Sequence, residues 1–241
     1  MTQQFPWMKK RKVLIKKQAS TSPRYGCKPE ERSTNELINY GIVNIDKPAG
    51  PSSHQVSSYV KKILGIKKAG HSGTLDPKVT GVLPVALGRG TRIVNSLLTA
   101  GKEYVCLMRI HKDYDEKELR GIIKGFVGEI EQVPPVRSAV KRRPRKRTVY
   151  YIDVLDIIGN EVLLRVGCQA GTYMRKLCYD IGKKLGTGAH MVELRRTRAG
   201  PFDESTLCTL QDLADAYYYY KEEGDEKELR RIIMPIEIGV K

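Results

Sequence analysis

A segment from Gly70 to Leu83 constrains the fold of this chain most. It reads GHSGTLDPKVTGVL and holds one carboxylate, Asp76, directly before Pro77. A residue that precedes proline is biased away from the helical region, and an Asp-Pro pair suits the first two positions of a tight turn. Three glycines let the backbone bend sharply or approach a ligand closely. We therefore expect a non-repetitive loop that orients a single carboxylate, although an isolated Leu-Asp-Pro is most often only a turn.

The chain is strongly basic. Its 241 residues include 43 Lys or Arg and 27 Asp or Glu, which gives a net charge of +16. Such an excess indicates a polyanionic partner, and because there is no long apolar run, nucleic acid is favoured over a membrane. A basic ribosomal or scaffold protein would have the same balance, so charge alone does not identify an enzyme.

Five cysteines occur, an odd number, and none has Cys-x-x-Cys spacing. We interpret them as reduced thiols, mostly in the core of an intracellular protein, with no zinc site. The basic N-terminus lacks an apolar h-region, so we expect no secretory signal.

Hydrophobic patterns predict strands over 42–45, 102–111, 148–158, 161–169 and 189–198. Apolar residues at helical spacing, with capping residues, predict helices over roughly 52–64, 93–98, 116–126, 172–185, 209–217 and 225–233. The strand at 102–111 is apolar on both faces, as a central strand requires. Strands paired mainly through hairpins, with helices interspersed irregularly, indicate an α+β fold rather than regular βαβ winding.

Residues 1–35 are basic and rich in turn-forming residues. We expect a flexible N-terminal arm here, with 1–30 poorly ordered and regular structure beginning near Asn35. The apolar run Val13 to Ile15 could instead pair as a strand. Residues 36–241 are expected to form the folded domain.

The 70–83 segment, together with DKPAGPSS at 46–53, resembles the signature of the TruB/dyskerin family of pseudouridine synthases. The resemblance covers roughly residues 36–238. It implies the pseudouridine synthase fold, a mixed, mainly antiparallel sheet flanked by helices, with 36–241 as the catalytic domain. In that family the aspartate of Gly-Thr-Leu-Asp-Pro is the nucleophile, which implies this role for Asp76. The isomerisation is redox-neutral, so no cofactor and no metal are expected.

Four further site residues are implied by the same resemblance. Tyr104 is similar to the active-site tyrosine that stacks on the target uracil and assists the proton step, although a free phenol has a pKa of about 10. Arg175, in the first turn of a predicted helix, resembles the arginine that pairs with the aspartate. A cation at the start of a helix is unfavourable, because the helix dipole favours cations at the other end, and this suggests that Arg175 is kept for a partner. A buried carboxylate would need such a cation to stay ionised. Leu194 resembles the apolar residue beneath the base, and His71 the histidine near the flipped nucleotide.

Between 137 and 147 seven of eleven residues are basic. A charge run is usually a solvated segment, but in a basic protein beside a candidate RNA site we expect a loop that grips phosphates. It corresponds to the thumb loop of the family. The residues expected to contact RNA phosphates are Arg142, Arg143, Arg145, Lys146 and Arg147, with Lys141 expected to bind substrate.

The short thumb segment and the run RKLCYDIG at 175–182 look like the dyskerin-type catalytic subunit of box H/ACA ribonucleoproteins. The resemblance implies a guide RNA, an rRNA or tRNA target, small protein partners, and a location in the archaeal cytoplasm or eukaryotic nucleolus. Relatives continue into a C-terminal PUA domain, which we do not expect in a chain that stops at Lys241. Two alternatives remain: a stand-alone tRNA pseudouridine synthase with the same active site, and a basic RNA-binding scaffold without chemistry.

Overall fold

The computed structural model describes residues 14–18, 22–134 and 143–240. Within them ten strands form one sheet: β1 Gly41–Lys47, β2 Ala69–His71, β3 Thr80–Leu87, β4 Lys102–Ile110, β5 Gly128–Gln132, β6 Arg145–Ile158, β7 Glu161–Cys168, β8 Ala189–Ala199, β9 Phe202–Asp203 and β10 Ile233–Pro235. The described helices are α1 Thr34–Tyr40, α2 Ser53–Ile63, α3 Val94–Thr99, α4 Glu116–Lys124, α5 Met174–Leu185, α6 Leu210–Glu222 and α7 Lys227–Ile232.

The sheet runs in the order β10-β1-β3-β8-β4-β7-β6-β5, with β2 beside β3 and β9 beside β8. Neighbouring named strands are antiparallel except β3 and β8, whose parallel contact covers Thr80 to Gly81. The predicted α+β fold with a mixed, mainly antiparallel sheet is therefore confirmed. The β6–β7 hairpin and the central position of β4, between β7 and β8, also agree with the sequence patterns.

The predicted loop over 70–83 is wrong at both ends. Residues 69–71 form β2 and residues 80–87 form β3, which leaves only 72–79 as a non-repetitive loop. The part of β3 after Thr80 is buried, which stabilises it as a strand despite its glycine. Gly81 has φ +101°, and a Cβ there would lie 2.2 Å from the Arg196 carbonyl oxygen. Only glycine lets β3 approach β8 this closely.

Two large apolar clusters lie on either side of the β3–β8 contact. One joins β4, β6, β7 and β8 to α4 and α5, and the other joins β1 and β3 to α1, α2, α6 and α7. The 72–79 loop leads directly into β3, so it lies where the two halves meet. Four cysteines are buried and Cys27 is exposed, all five as free thiols.

The division into an arm over 1–35 and a domain over 36–241 stays a prediction, because residues 1–13 and 19–21 lie outside the described residues. Leu14 and Ile15 are exposed and outside any strand. Arg32 forms an ion pair with Glu237. No helix in the described ranges is long and apolar enough to cross a membrane.

Candidate active site

The backbone around Asp76 is held from both sides by buried polar side chains. Lys47 is fully buried, and its ammonium donates hydrogen bonds to the carbonyls of Pro48, Pro77 and Val79 at 2.8–2.9 Å. On the other side, the Leu75 N–H donates to the hydroxyl of Ser53 at 2.8 Å. Burial lowers the pKa of Lys47, and the negative charge of Asp76 opposes that shift. The loop is thus fixed while the carboxylate itself remains accessible.

Asp76 forms an ion pair with Arg175, as the sequence predicts. The Arg175 Nη2 atom lies 3.0 Å from the Asp76 Oδ2 atom, and the two side chains are 47% and 52% exposed. The carboxylate is therefore not buried, and the expectation that burial makes a cation obligatory is wrong. Arg175 is the second residue of α5, and Met174 before it packs in the same apolar cluster as Leu75 and Val79 of the loop. The pair fixes the orientation of the carboxylate without removing it from water.

Tyr104 lies on β4 and faces the same space. Burial raises the pKa of its phenol, and the nearby Arg196 guanidinium opposes this shift. At neutral pH the side chain is a neutral phenol, which can donate a hydrogen bond and present a flat ring but is a poor base.

These groups converge on a cavity of about 580 Å³. Asp76, Tyr104, Arg175 and Leu194 all line it. Leu194 is on β8, is 8% exposed, and belongs to the apolar cluster that joins β4, β6, β7 and β8 to α4 and α5. The volume lies within the range of small-molecule sites, roughly 300–1,000 Å³. The structure thus brings together four of the residues that the sequence singles out.

His71 is placed differently. It lies on β2, and its Nδ1 atom accepts a hydrogen bond from the N–H of Gly73 at 3.4 Å. It is not among the described residues that line the cavity. Burial lowers the pKa of His71, and the charges of Arg196 and His54 add to this. His71 therefore contacts the backbone of the 72–79 loop, and its role as a substrate ligand stays a prediction.

The basic segment is only partly a loop. Arg145, Lys146 and Arg147 lie in β6, opposite Gln132, Glu131 and Ile130 of β5, which corrects the predicted loop over 137–147. Acidic residues of β5 explain the pairing, because the Lys146 ammonium lies 2.8 Å from a carboxylate oxygen of Glu129.

Arg147 lies close to the cavity. A Cβ added to Gly171, which lines the cavity, would lie 3.0 Å from the Arg147 Nε atom. Arg143 is exposed. Lys141 and Arg142 lie outside the described residues. In the described part of the chain, no group of three or more His, Cys, Asp or Glu residues could hold a metal ion.

Three family models match successive parts of the sequence. A DKCLD domain matches residues 2–57, the N-terminal domain of TruB family pseudouridylate synthases matches 61–174, and the C-terminal domain of tRNA pseudouridylate synthase B matches 175–241. The "Probable tRNA pseudouridine synthase B" of Methanopyrus kandleri is 58% identical over 235 residues, which cover 98% of this chain and 70% of that protein. The chain belongs to the TruB family. The Pyrococcus horikoshii protein of the same name is also 58% identical, over 96% of this chain and 70% of its own length.

Solved structures of the TruB family show the same fold. "Crystal Structure of a Cbf5-Nop10-Gar1 Complex" contains a chain with a TM-score of 0.95 and 56% identity, covering 99% of this chain and 73% of its own. "Structure of H/ACA RNP bound to a substrate RNA containing 2'-deoxyuridine" contains a chain with a TM-score of 0.90 and 54% identity, and the match covers 98% of this chain and 72% of that chain. The chain is thus an RNA pseudouridine synthase, and the non-catalytic scaffold is excluded.

Sequence reasoning missed two cations at the site of this TruB-family enzyme. Arg196 is 1% exposed and donates from Nε to the Val82 carbonyl at 2.8 Å and from Nη2 to the Gly73 carbonyl at 3.3 Å. Lys102 is 4% exposed and donates to three carbonyls at the end of α3. Burial lowers the pKa of Lys102 to about 8, and Arg196 adds to this.

A period-two pattern could have found both cations. Side chains two positions apart on a strand share a face. Arg196 follows Leu194 by two residues, and Lys102 precedes Tyr104 by two, so both share a face with a predicted site residue. Among the described residues, the cavity is thus lined by one carboxylate and several cations.

Proposed function

We propose that Asp76 is the nucleophile of this pseudouridine synthase and that it acts on a uridine flipped out of its RNA into the cavity. One observation carries the proposal: among the described residues that line the cavity, Asp76 is the only carboxylate. The reaction breaks the bond from the sugar to N1 of uracil and forms one to C5, while C5 loses a proton and N1 gains one. Attack at the sugar and addition to the ring both use this carboxylate.

We assign the neighbouring residues by their contacts. Arg175 orients the carboxylate through the 3.0 Å ion pair. Tyr104 presents a neutral ring to the uracil, and Leu194 packs beneath the uracil. Lys102 and Arg196 hold positive charge beside the cavity. Such fixed charge stabilises negative charge that develops on the uracil as it leaves the sugar.

We infer that the enzyme is directed by a guide RNA and works with small protein partners on rRNA or tRNA. Three solved chains that are similar over 96–99% of this chain belong to a Cbf5-Nop10-Gar1 complex, a Nop10-Cbf5 complex and an H/ACA ribonucleoprotein bound to substrate RNA. Phosphate contacts carry no sequence information, so a guide that pairs around the target would supply specificity. The Nop10-Cbf5 complex is archaeal, which favours a cytoplasmic location.

The second candidate is unguided modification of tRNA, which the names of the curated relatives favour. The two functions differ in one experiment, in which an RNA with a defined internal uridine is incubated with the purified chain. A guided enzyme converts that uridine only when a matching guide RNA and the partner proteins are added. Equal conversion without guide or partners would replace guided action with the stand-alone function.

A further inference from the structure

A second, larger cavity lies far from the Asp76 loop. It has a volume of about 780 Å³. Helix α2 begins at Ser53, which contacts Leu75 of the loop, and the residues just beyond its other end line this cavity. Strand β3 likewise starts beside the loop, and Gly88 just after it lines the cavity. At about 3.3 Å per residue along β3, the two sites are separated by roughly 20–25 Å.

Positive charge dominates this basic groove. Five exposed cations line it: Lys67, Lys68, Arg89, Arg92 and Lys221. No carboxylate is among the described residues that line it. None of the five forms an ion pair within the described ranges, whereas cations elsewhere on the surface do. Glu36, which does not line the groove, interacts electrostatically with Arg89, so the charge of the groove remains strongly positive. Cations that converge in a concave surface attract an anion.

The other lining residues favour RNA over an acidic protein. Two tyrosines of α6, Tyr217 and Tyr220, line the groove with ring centroids 6.1 Å apart. Among the aliphatic lining residues, Ile38 and Leu64 are only 4% and 2% exposed and Ile66 is half-buried, so the accessible lining is mostly charged, polar and aromatic. Cations combined with aromatic rings and polar backbone suit the phosphates and sugars of RNA.

We propose that this basic groove binds the RNA backbone at a distance of roughly 20 Å or more from the target uridine, as a contact surface separate from the catalytic cavity. The proposal rests on the RNA-modifying function, and it deepens it, because the enzyme then grips the flanking RNA at a second place. Each phosphate neutralised releases counterions and adds about 0.7–0.9 to the slope of log affinity against log salt. The groove therefore contributes salt-sensitive affinity for any RNA long enough to reach it.

The test compares two variants of the full chain, each lacking three lysine charges. The groove variant carries Lys67→Gln, Lys68→Gln and Lys221→Gln. The control carries Lys112→Gln, Lys117→Gln and Lys124→Gln, which remove equally exposed lysines in and near α4. The probe is a hairpin guide RNA annealed to its target strand, titrated at several salt concentrations. We expect the groove variant to bind roughly 10- to 100-fold more weakly, with a slope reduced by roughly 2, while the control binds like the wild type.

RNA length supplies the second arm. A probe whose duplex ends within about six base pairs of the target uridine spans less than roughly 20 Å, because the rise is at most about 3.4 Å per pair. It cannot reach the groove and should bind both variants equally. Equal affinity and slope of the two variants for the long probe would overturn the proposal. The proposal would also be overturned if the groove variant lost binding to a partner protein while its binding to RNA stayed unchanged. These are binding measurements, so failure of the proposed chemistry would appear separately, as wild-type protein that binds RNA and forms no pseudouridine.

Discussion

The ion pair between Asp76 and Arg175 is formed without burial, and this decides what its removal would cost. Both side chains are about half exposed. Exposed ion pairs contribute only about 0–1 kcal/mol to stability, whereas breaking a buried pair costs about 3–5 kcal/mol. The role of Arg175 is therefore to orient the carboxylate rather than to keep the domain folded.

We expect Arg175→Ala to change the free energy of unfolding by less than about 1 kcal/mol and to slow pseudouridine formation by about 10²-fold or more. Urea unfolding and single-turnover assays measure the two effects. Arg120→Ala is the control, because Arg120 pairs with Glu116 on α4 at similar exposure. A loss of about 3–5 kcal/mol in the Arg175 variant would mean that the pair behaves as a buried one.

His71 makes stability depend on pH. Burial lowers its pKa below the ordinary value of about 6.5, so the unfolded imidazole binds a proton while the folded one stays neutral. The free energy of unfolding must then fall as the pH falls through about 6.5. Between about pH 7.5 and 5.5 we expect the wild type to lose more stability than His71→Gln. Parallel stability curves for the two proteins would contradict this account.

At the scale of elements, the sequence predicted best where periodicity is local. The helices α2, α4 and α5 and the β6–β7 hairpin follow from apolar spacing and caps. Strand β3 was missed because its glycine, Gly81, and its place after the Asp76 loop resemble a turn-rich segment. The basic run was predicted as a loop because a run of like charges is usually solvated. In the structure its residues 145–147 pair with β5, which carries acidic residues such as Glu129. Charge alone does not reveal such a partner.

Substitution of Gly81 tests whether stability depends on the short distance between β3 and β8. Gly81→Ala places a Cβ about 2.2 Å from the Arg196 carbonyl oxygen at positive φ, so we expect a loss of about 3 kcal/mol or more in unfolding free energy. Gly121→Ala, in α4 with open space around it, should be neutral or stabilising by up to about 1 kcal/mol. Denaturant unfolding distinguishes the two, and equal stability of the variants would show that the strands can separate freely.

The basic residues between Arg142 and Arg147, which run into β6, are expected to bind phosphates. Changing Arg142, Arg143, Arg145 and Arg147 to Gln should weaken RNA binding for all sequences and flatten its salt dependence, because phosphate contacts are independent of sequence. The choice of uridine should stay the same. Affinity measured against salt, with mapping of the modified position, checks both parts. A shift in the modified position would show that these residues read bases.

At the scale of the whole molecule, the site lies where two halves meet. Asp76 lies in the loop between β2 and β3, whose Leu75 and Val79 pack in the same apolar cluster as β4, β6, β7 and β8. Tyr104, Arg175 and Leu194 come from β4, α5 and β8. Motifs in the sequence could predict these four residues one at a time. The strand order that joins them, and the buried cations Lys102 and Arg196 beside them, depend on long-range pairing, which local patterns do not encode.

The most direct test of the account is a single-turnover measurement of pseudouridine formation by Asp76→Asn. The substitution keeps shape and hydrogen-bonding atoms but removes the nucleophilic carboxylate. Asp180→Asn, on α5 and paired with Lys176 away from the cavity, is the control. We expect Asp76→Asn to fold and bind RNA like the wild type and to form no detectable pseudouridine, while the control remains active. Turnover by Asp76→Asn above the uncatalysed background would contradict the assignment of Asp76 as the nucleophile.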